Sequence, residues 1–284
     1  MTEFGVLLAA TEHTLQPVEI ARLAESEGLD ALFVGEHTHL PLAEHRYSNI
    51  GDEYKQLYDP FIFLTAAAAV TERLVLGTAV TLLTEHHPIT LANEIATLDR
   101  ISNGRVVLGI GTGWNVVEMG NFGLEFTDRW AIARERVLAM REIWTSDVAE
   151  FHGRFVDFDP IWCWPKPVQS GGPPILIGGG VKPEVIARRV VDFGDGWIPL
   201  DGGHELDITM RAVVDAAARA GRALDPLNLT VGLGLMGAEN VTAQRIEEVI
   251  AMGFGRVLFV LNTNDRDRDL AAMELYTNLV ATVR

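Results

Sequence analysis

The sequence predicts an α/β fold, a (β/α)8 TIM barrel, from three observations. Short apolar runs alternate with amphipathic stretches of helical period, eight times along the chain. The alternation breaks only once, at an insertion. The length of 284 residues suits a barrel of about 250 residues carrying loop insertions. An open sheet would leave two edges, whereas eight β–α units close on themselves. The reading gives one domain over residues 1–284, with no linker and no low-complexity segment.

The elements follow in order. Phe4–Ala9 reads as a first buried strand. Pro17–Glu27 reads as a helix with Ile20, Leu23 and Ala24 on one face and Gly28 as its stop. Ala31–Val34 is the second strand, followed by a long loop, Gly35–Pro60, and an alanine-rich helix, Phe61–Thr71. Leu74–Thr78, Ile89–Ile101 and Val106–Ile110 continue strand, helix, strand, with Asn103-Gly104 ending the helix. Asp128–Trp144 is a long helix, read with Arg134, Arg136 and Arg141 on its wet side. Ala149–Asp159 alternates around Gly153 and reads as a hairpin inserted into the barrel. The rhythm then resumes: strand Pro174–Ile177, helix Pro183–Val191, strand Gly196–Ile198, helix Leu206–Ala220. Strand Leu229–Leu233, helix Ala243–Met252, strand Val257–Leu261 and helix Leu270–Val283 complete it.

Charge and composition narrow the function. The formal net charge is −16, so most of the surface repels a phosphate backbone and nucleic acid is not an expected partner. Lys55, Lys166 and Lys182 are the only lysines. Cys163 is the only cysteine, which removes any disulfide or cysteine-based zinc site within one chain. Cys163 itself reads as a half-buried small apolar residue. The N-terminus lacks a basic segment and no apolar run reaches the length of a membrane span, so a cytoplasmic protein without a membrane partner is expected.

The chemistry-bearing residues cluster after the strands, where such a barrel builds its active site. Strand two ends in Gly35-Glu36-His37-Thr38-His39, a carboxylate beside an imidazole, suited to proton chemistry, with His45 and Arg46 further along the loop. His37-x-His39 also has the form of two metal ligands, but the later strand ends bring few partners, so no metal is expected. Strand three runs into Ala79-Val80. Strand four runs into Gly109-Ile-Gly111-Thr112-Gly113-Trp114-Asn115, where glycines allow close backbone approach; Trp114 breaks the dinucleotide fingerprint. Strand five ends in Gly178-Gly179-Gly180 ahead of a helix near Lys182-Pro183, a pattern that makes an anion pocket from backbone N–H groups. His86-His87-Pro88 reads as a loop feature capping the third helix.

Taken together, several segments resemble the luciferase-like monooxygenase superfamily, and within it the actinobacterial oxidoreductases dependent on coenzyme F-420, an 8-hydroxy-5-deazaflavin. They include Gly28-Leu-Asp-Ala-Leu-Phe-Val-Gly-Glu-His-Thr-His39, Thr71-Glu-Arg-Leu-Val-Leu-Gly-Thr-Ala-Val80 and Ala92-Asn-Glu-Ile-Ala-Thr-Leu-Asp-Arg-Ile-Ser-Asn-Gly-Arg105. Leu108-Gly-Ile-Gly-Thr-Gly-Trp-Asn115, Phe151-His-Gly-Arg-Phe155, Ile177-Gly-Gly-Gly180 and Gly194-Asp-Gly-Trp197 extend the match, weakest after residue 200.

The resemblance implies roles. Glu36 and His37 fall at cofactor contacts and at the catalytic histidine of the family's sugar-phosphate dehydrogenases, with Glu36 available to tune His37. Ala79-Val80 falls on a strand bulge with a non-proline cis peptide beneath the cofactor. Gly111, Thr112, Gly113 and Trp114 flank the ring, and Gly178, Gly179 and Gly180 hold the cofactor's phosphate. Those dehydrogenases carry a glutamate where this chain has Trp114, which points away from glucose 6-phosphate and toward a more apolar small-molecule substrate. A deazaflavin implies hydride transfer. FMN in its place implies monooxygenation, and a flavin-binding protein without turnover is a third reading. Family resemblance also implies a homodimer.

Overall fold

The structure is a computed structural model that describes residues 2–42, 52–180, 182–202 and 205–284. Eight parallel strands form one sheet: β1 (Glu3–Leu8), β2 (Ala31–Val34), β3 (Val75–Leu82), β4 (Val106–Gly111), β7 (Ile175–Gly178), β8 (Gly196–Ile198), β9 (Thr230–Leu233) and β10 (Arg256–Leu261). Their spatial order is β8-β7-β4-β3-β2-β1-β10-β9. Parallel bridges Trp197–Leu229 and Leu200–Gly232 join β8 to β9 and complete the circuit of the barrel. The inserted segment is an antiparallel hairpin, β5 (Ala149–His152) and β6 (Asp157–Ile161). Glu135 fastens its turn by accepting the N–H groups of Arg154, Phe155 and Val156.

The helices are α1 (Pro17–Ser26), α2 (Pro60–Ala68), α3 (Pro88–Ile101), α4 (Val116–Asn121), α5 (Arg129–Thr145), α6 (Pro183–Asp192), α7 (Leu206–Arg219), α8 (Ala243–Ala251) and α9 (Arg266–Val283). Proline opens α1, α2, α3 and α6, where its missing N–H is no loss and its φ is already helical. Asp59, Thr242 and Asp265 cap α2, α8 and α9 through their side chains.

Strand periodicity sorts the core into two layers. Phe4, Val6 and Leu8 of β1, and Val257, Phe259 and Leu261 of β10, face the helices. Leu7, Leu258 and Val260 alternate with them and face the barrel interior with Phe33, Val107, Leu176 and Ile198. Gly77 is forced by this interior: a Cβ there would lie 2.4 Å from the Phe33 ring.

Three expectations need correction. β3 runs on to Leu82, past the expected end at Thr78, through a register shift between Thr78 and Thr81 against β4. Arg136 is not on the wet side of α5: it is half-buried and donates to the Leu83 carbonyl, while Arg141 pairs with Asp195 at 2.7 Å. Cys163 is buried, not half-buried. Among the described residues no helix is long and apolar enough to cross a membrane.

Candidate active site

A cavity of about 550 Å³ opens at the C-terminal ends of the strands, within the usual range for a small-molecule site. Glu36, His37, Ala79, Val80, Gly111, Thr112, Gly113, Trp114, Gly178, Gly179 and Gly180 all line it. The remaining wall is mostly apolar, with Leu7, Leu57, Leu200, Leu235 and Val260 prominent. His45 and Arg46 lie outside the described residues.

The Ala79–Val80 peptide is cis. Val80 also explains two of the glycines. A Cβ on Gly111 would sit 2.6 Å from one Val80 methyl, and a Cβ on Gly178 would sit 2.5 Å from the other. These positions are glycine because the Val80 side chain occupies the space, a packing reason that stands beside the close approach expected of them. Gly179 is different. Its φ is +83°, and a Cβ there meets nothing within 4 Å. Trp197 Nε1 donates to the Gly179 carbonyl at 2.9 Å and pins the turn from behind.

Glu36 and His37 are consecutive but turn to different partners. Glu36 Oε2 accepts the buried N–H of Leu82 at 2.6 Å, and Oε1 lies 2.7 Å from His86 Nε2. Glu36 therefore ties the end of β2 to the end of β3. His37 Nδ1 lies 2.8 and 3.0 Å from the two oxygens of Glu118, both residues being buried. A carboxylate accepts, so Nδ1 carries the proton and Nε2 is left for the cavity that His37 lines. The rings of Trp114 and Tyr54 meet the imidazole edge-on, with centroids 5.3 and 5.6 Å away. His39 turns from His37 altogether, bonding Thr38 and Asn121.

Glu118 was not among the expected residues, because α4 was not expected. Its start is nonetheless written in the sequence. Asn115 caps α4 by accepting the N–H groups of Val117 and Glu118, and a glutamate three residues after such a cap is the spacing of a capping box. Of His86-His87-Pro88, expected to cap α3, His87 takes the N-cap position without a side-chain bond and Pro88 opens the helix, while His86 reaches Glu36.

Glu85 joins the cluster, accepting from Thr38 Oγ1 at 2.8 Å. Burial, then repulsion from Glu118 and Glu36, push its carboxyl up to about 8, against the opposing Thr38 bond and the His86 charge. Burial disfavours the His86 imidazolium, but the Glu36 bond and the charges of Glu36, Glu94 and Glu85 outweigh it and raise its pKa. Two imidazoles and three carboxylates thus cluster near the ends of β2 and β3.

The sequence profile of the luciferase-like monooxygenases matches residues 2–275. The chain belongs to the luciferase-like monooxygenase family. Membership makes it an oxidoreductase. An uncharacterized protein of Mycobacterium tuberculosis is 38% identical over 276 residues, 95% of this chain and 94% of that one. The F-420-dependent glucose-6-phosphate dehydrogenase of Nocardia farcinica is 36% identical over 221 residues, 74% of this chain. That match spans 61% of the dehydrogenase's own length. Among solved structures, monooxygenase RslO1 from Streptomyces bottropensis superposes with a TM-score of 0.83 at 20% identity, covering 99% of both chains. An F-420-dependent secondary alcohol dehydrogenase, solved with an F-420–acetone adduct, gives 0.76 at 18% identity, covering 100% and 99%. At these identities the two structures speak for the barrel alone.

Proposed function

We propose that this chain is a coenzyme F-420-dependent oxidoreductase that moves a hydride between the deazaflavin and a small, largely apolar organic substrate. The observation that carries the reading is the buried His37–Glu118 pair on the wall of a strand-end cavity. Kinship with dehydrogenases named for F-420 supports it. The residues present fit such a coenzyme. Val80, braced against Gly111 and Gly178, offers a fixed apolar surface for a flat ring. The Gly179 turn leaves open space for a phosphate ahead of the N-terminus of α6.

When bound, the coenzyme supplies hydride transfer at a ring carbon. The protein's own groups do the rest. His37 gives or takes the substrate proton at Nε2. Glu118 holds Nδ1 and thereby sets the tautomer and the direction of the ring. Trp114 and Tyr54 fix the imidazole edge-on and keep that side apolar. Leu7, Leu200, Leu235 and Val260 favour a substrate with little charge.

A fluorescence titration with F-420 and FMN side by side tests the reading. F-420 is expected to bind more tightly by about tenfold or more, which is about 1.4 kcal/mol. Equal or inverted affinities would overturn it in favour of FMN and oxygen chemistry. Binding of both without turnover on any alcohol, ketone, imine or alkene acceptor would leave a flavin-binding protein.

A further inference from the structure

The inward-facing rows of the barrel strands end in unequal side chains. Leu7 of β1, Phe33 of β2, Ile198 of β8 and Val260 of β10 face the interior. Positions two residues apart on a strand share a face, so each row continues upward into the cavity. Most rows end there in Ala9, Ala79, Gly111, Gly178 or Leu200. The rows of β2 and β10 end instead in polar side chains, His37 and Asn262, and both line the cavity. His37 is held by Glu118. Asn262 is held weakly: its Nδ2 donates to the Leu235 carbonyl at 3.4 Å, near the outer limit of a hydrogen bond. Its Oδ1 has no partner among the described residues.

An amide has two N–H donors and an oxygen with two lone pairs, and Asn262 spends little of that capacity on the protein. Its neighbours on the wall are Leu7, Leu200, Leu235 and Val260. An apolar occupant covering this wall would strip the amide of water and leave it unpaired, which is costly. An occupant with its own polar group at that point removes the cost. The surroundings select a neutral group. The ionisable side chains that line the cavity are Glu36, His37, Tyr54 and Arg129, and none of them belongs to β8, β9, β10 or β1. A charged group beside Asn262 would lie against aliphatic side chains with no countercharge. β1 pairs with both β2 and β10, so His37 and Asn262 rise from strands two steps apart. That is about 10 Å between backbones. Both side chains point inward from there, which leaves a gap on the scale of one small ring or short chain.

We propose that Asn262 binds the substrate, and that the substrate is an uncharged molecule with two oxygen functions, one reacting at His37 and the other hydrogen-bonded to the Asn262 amide. The inference rests on the F-420 reading above and deepens it by naming the substrate class. Asn262 donates through Nδ2 to a carbonyl or accepts at Oδ1 from a hydroxyl, so the second function is a ketone, an amide or an alcohol. It sets the direction in which the reacting carbon faces the coenzyme and takes no part in the proton step.

The test compares ketones with and without a second oxygen: cyclohexanone against 1,4-cyclohexanedione, and 2-hexanone against 2,5-hexanedione. Each is titrated calorimetrically into F-420-loaded wild type, Asn262→Leu and Asn262→Ala, and the quantity read is the affinity ratio within a pair. In the wild type at least one dione is expected to bind about five- to tenfold more tightly than its monoketone, the worth of one added hydrogen bond. Asn262→Leu, close to asparagine in size, is expected to erase that ratio and to leave monoketone and F-420 affinity within about twofold. No ratio in the wild type for either pair, or a ratio that survives the substitution, overturns the inference. Equal weakening of both members of a pair overturns it too, because Asn262 then only holds the Leu235 segment. A loss confined to F-420 affinity overturns it by turning the amide toward the coenzyme. Near-ultraviolet circular dichroism checks each fold, and Asn262→Ala carries the comparison if Asn262→Leu does not fold. A wild type that fails to bind F-420 overturns the cofactor reading, and the ketone ratios of the unloaded chain then judge Asn262 by themselves.

Discussion

His37 and His86 each face a glutamate, at 2.8 and 2.7 Å, on the same rim of the barrel. The resemblance ends there. His37 and Glu118 are both almost wholly buried, and His37 lines the cavity. His86 keeps 16% of its side chain exposed, is absent from the cavity wall, and its partner Glu36 spends the other oxygen on the Leu82 N–H. One pair stands on the wall of the cavity, and the other staples two strand ends together. The difference comes from where the glutamate is anchored. Glu118 sits in the first turn of α4, a short helix that follows β4, so it approaches His37 from the loop side. Glu36 follows β2 directly and meets the end of the adjacent β3. Consecutive residues leaving a strand point opposite ways, and that alone sends Glu36 and His37 apart.

Removing one imidazole at a time tests this division most severely. If His37 handles the substrate proton, His37→Ala lowers turnover with F-420 and any accepted substrate by about 10²–10⁴, with a smaller change in coenzyme affinity. His86→Ala is expected to act mainly on stability, and His39→Ala to do little to either. Steady-state kinetics and thermal melting on the three variants give the comparison. Wild-type turnover in His37→Ala would move the proton step to another group or to water.

The next largest effect concerns the partner of each imidazole. Glu118→Leu leaves the buried Nδ1–H of His37 without an acceptor, a loss of roughly 1–3 kcal/mol, or roughly ten- to hundredfold in kcat where it falls on the ring's orientation. Glu118→Gln retains an oxygen acceptor and should recover part of that loss. The Nitrogen-15 spectrum of the imidazole shows directly whether the Nδ1–H tautomer survives. If kcat is unchanged while only the melting temperature drops, Glu118 is a packing residue.

Glu36→Leu carries the comparison to the stapling pair. The Leu82 N–H and His86 both lose their acceptor, so the expected loss is again roughly 1–3 kcal/mol, this time in folding stability. For a chain this long that is a drop of a few degrees in Tm, about 2–4 °C per kcal/mol. Turnover of the protein that remains folded should fall far less than in His37→Ala. A catalytic collapse without a stability change would return Glu36 to the chemistry.

These particulars show what the sequence could and could not reveal. The strands and most helices were legible because two-sided burial makes each barrel strand a near-continuous apolar run, and because Pro17, Pro60, Pro88 and Pro183 open helices. The cavity wall was legible because every expected site residue lies in the C-terminal half of a strand or just after it, and strand ends converge in this fold. Pairing was not legible. Glu118 is 81 residues from His37 and Glu36 is 50 from His86, so no local pattern announces either contact. The packing role of two glycines was hidden for a related reason. Gly111 and Gly178 make room for Val80, a neighbour supplied by a different strand. The β3 extension was hidden because its register shift interrupts the period that marks a strand.

The smallest expected effect is also the one that joins the two pairs. Glu85 feels the charges of both Glu118 and Glu36, and its carboxyl is pushed up to about 8 from an ordinary 4.5. The folded protein therefore holds a proton there that the unfolded chain releases near pH 4.5. The stability gained from that proton is present at low pH and is lost as pH rises from about 4.5 through 8. His86 and Glu94 are raised as well, so they add to the same trend, His86 above its ordinary 6.5. Thermal melting from pH 5 to 9 should show a falling Tm in the wild type. In Glu85→Gln, which mimics the protonated acid and keeps an acceptor for Thr38, the slope should be shallower and Tm at the alkaline end higher. The shift stays modest because Glu85 is only half-buried and solvent screens part of the repulsion. Superimposable profiles would mean that Glu85 holds no extra proton, and that the cavity pair and the stapling pair stand electrostatically apart.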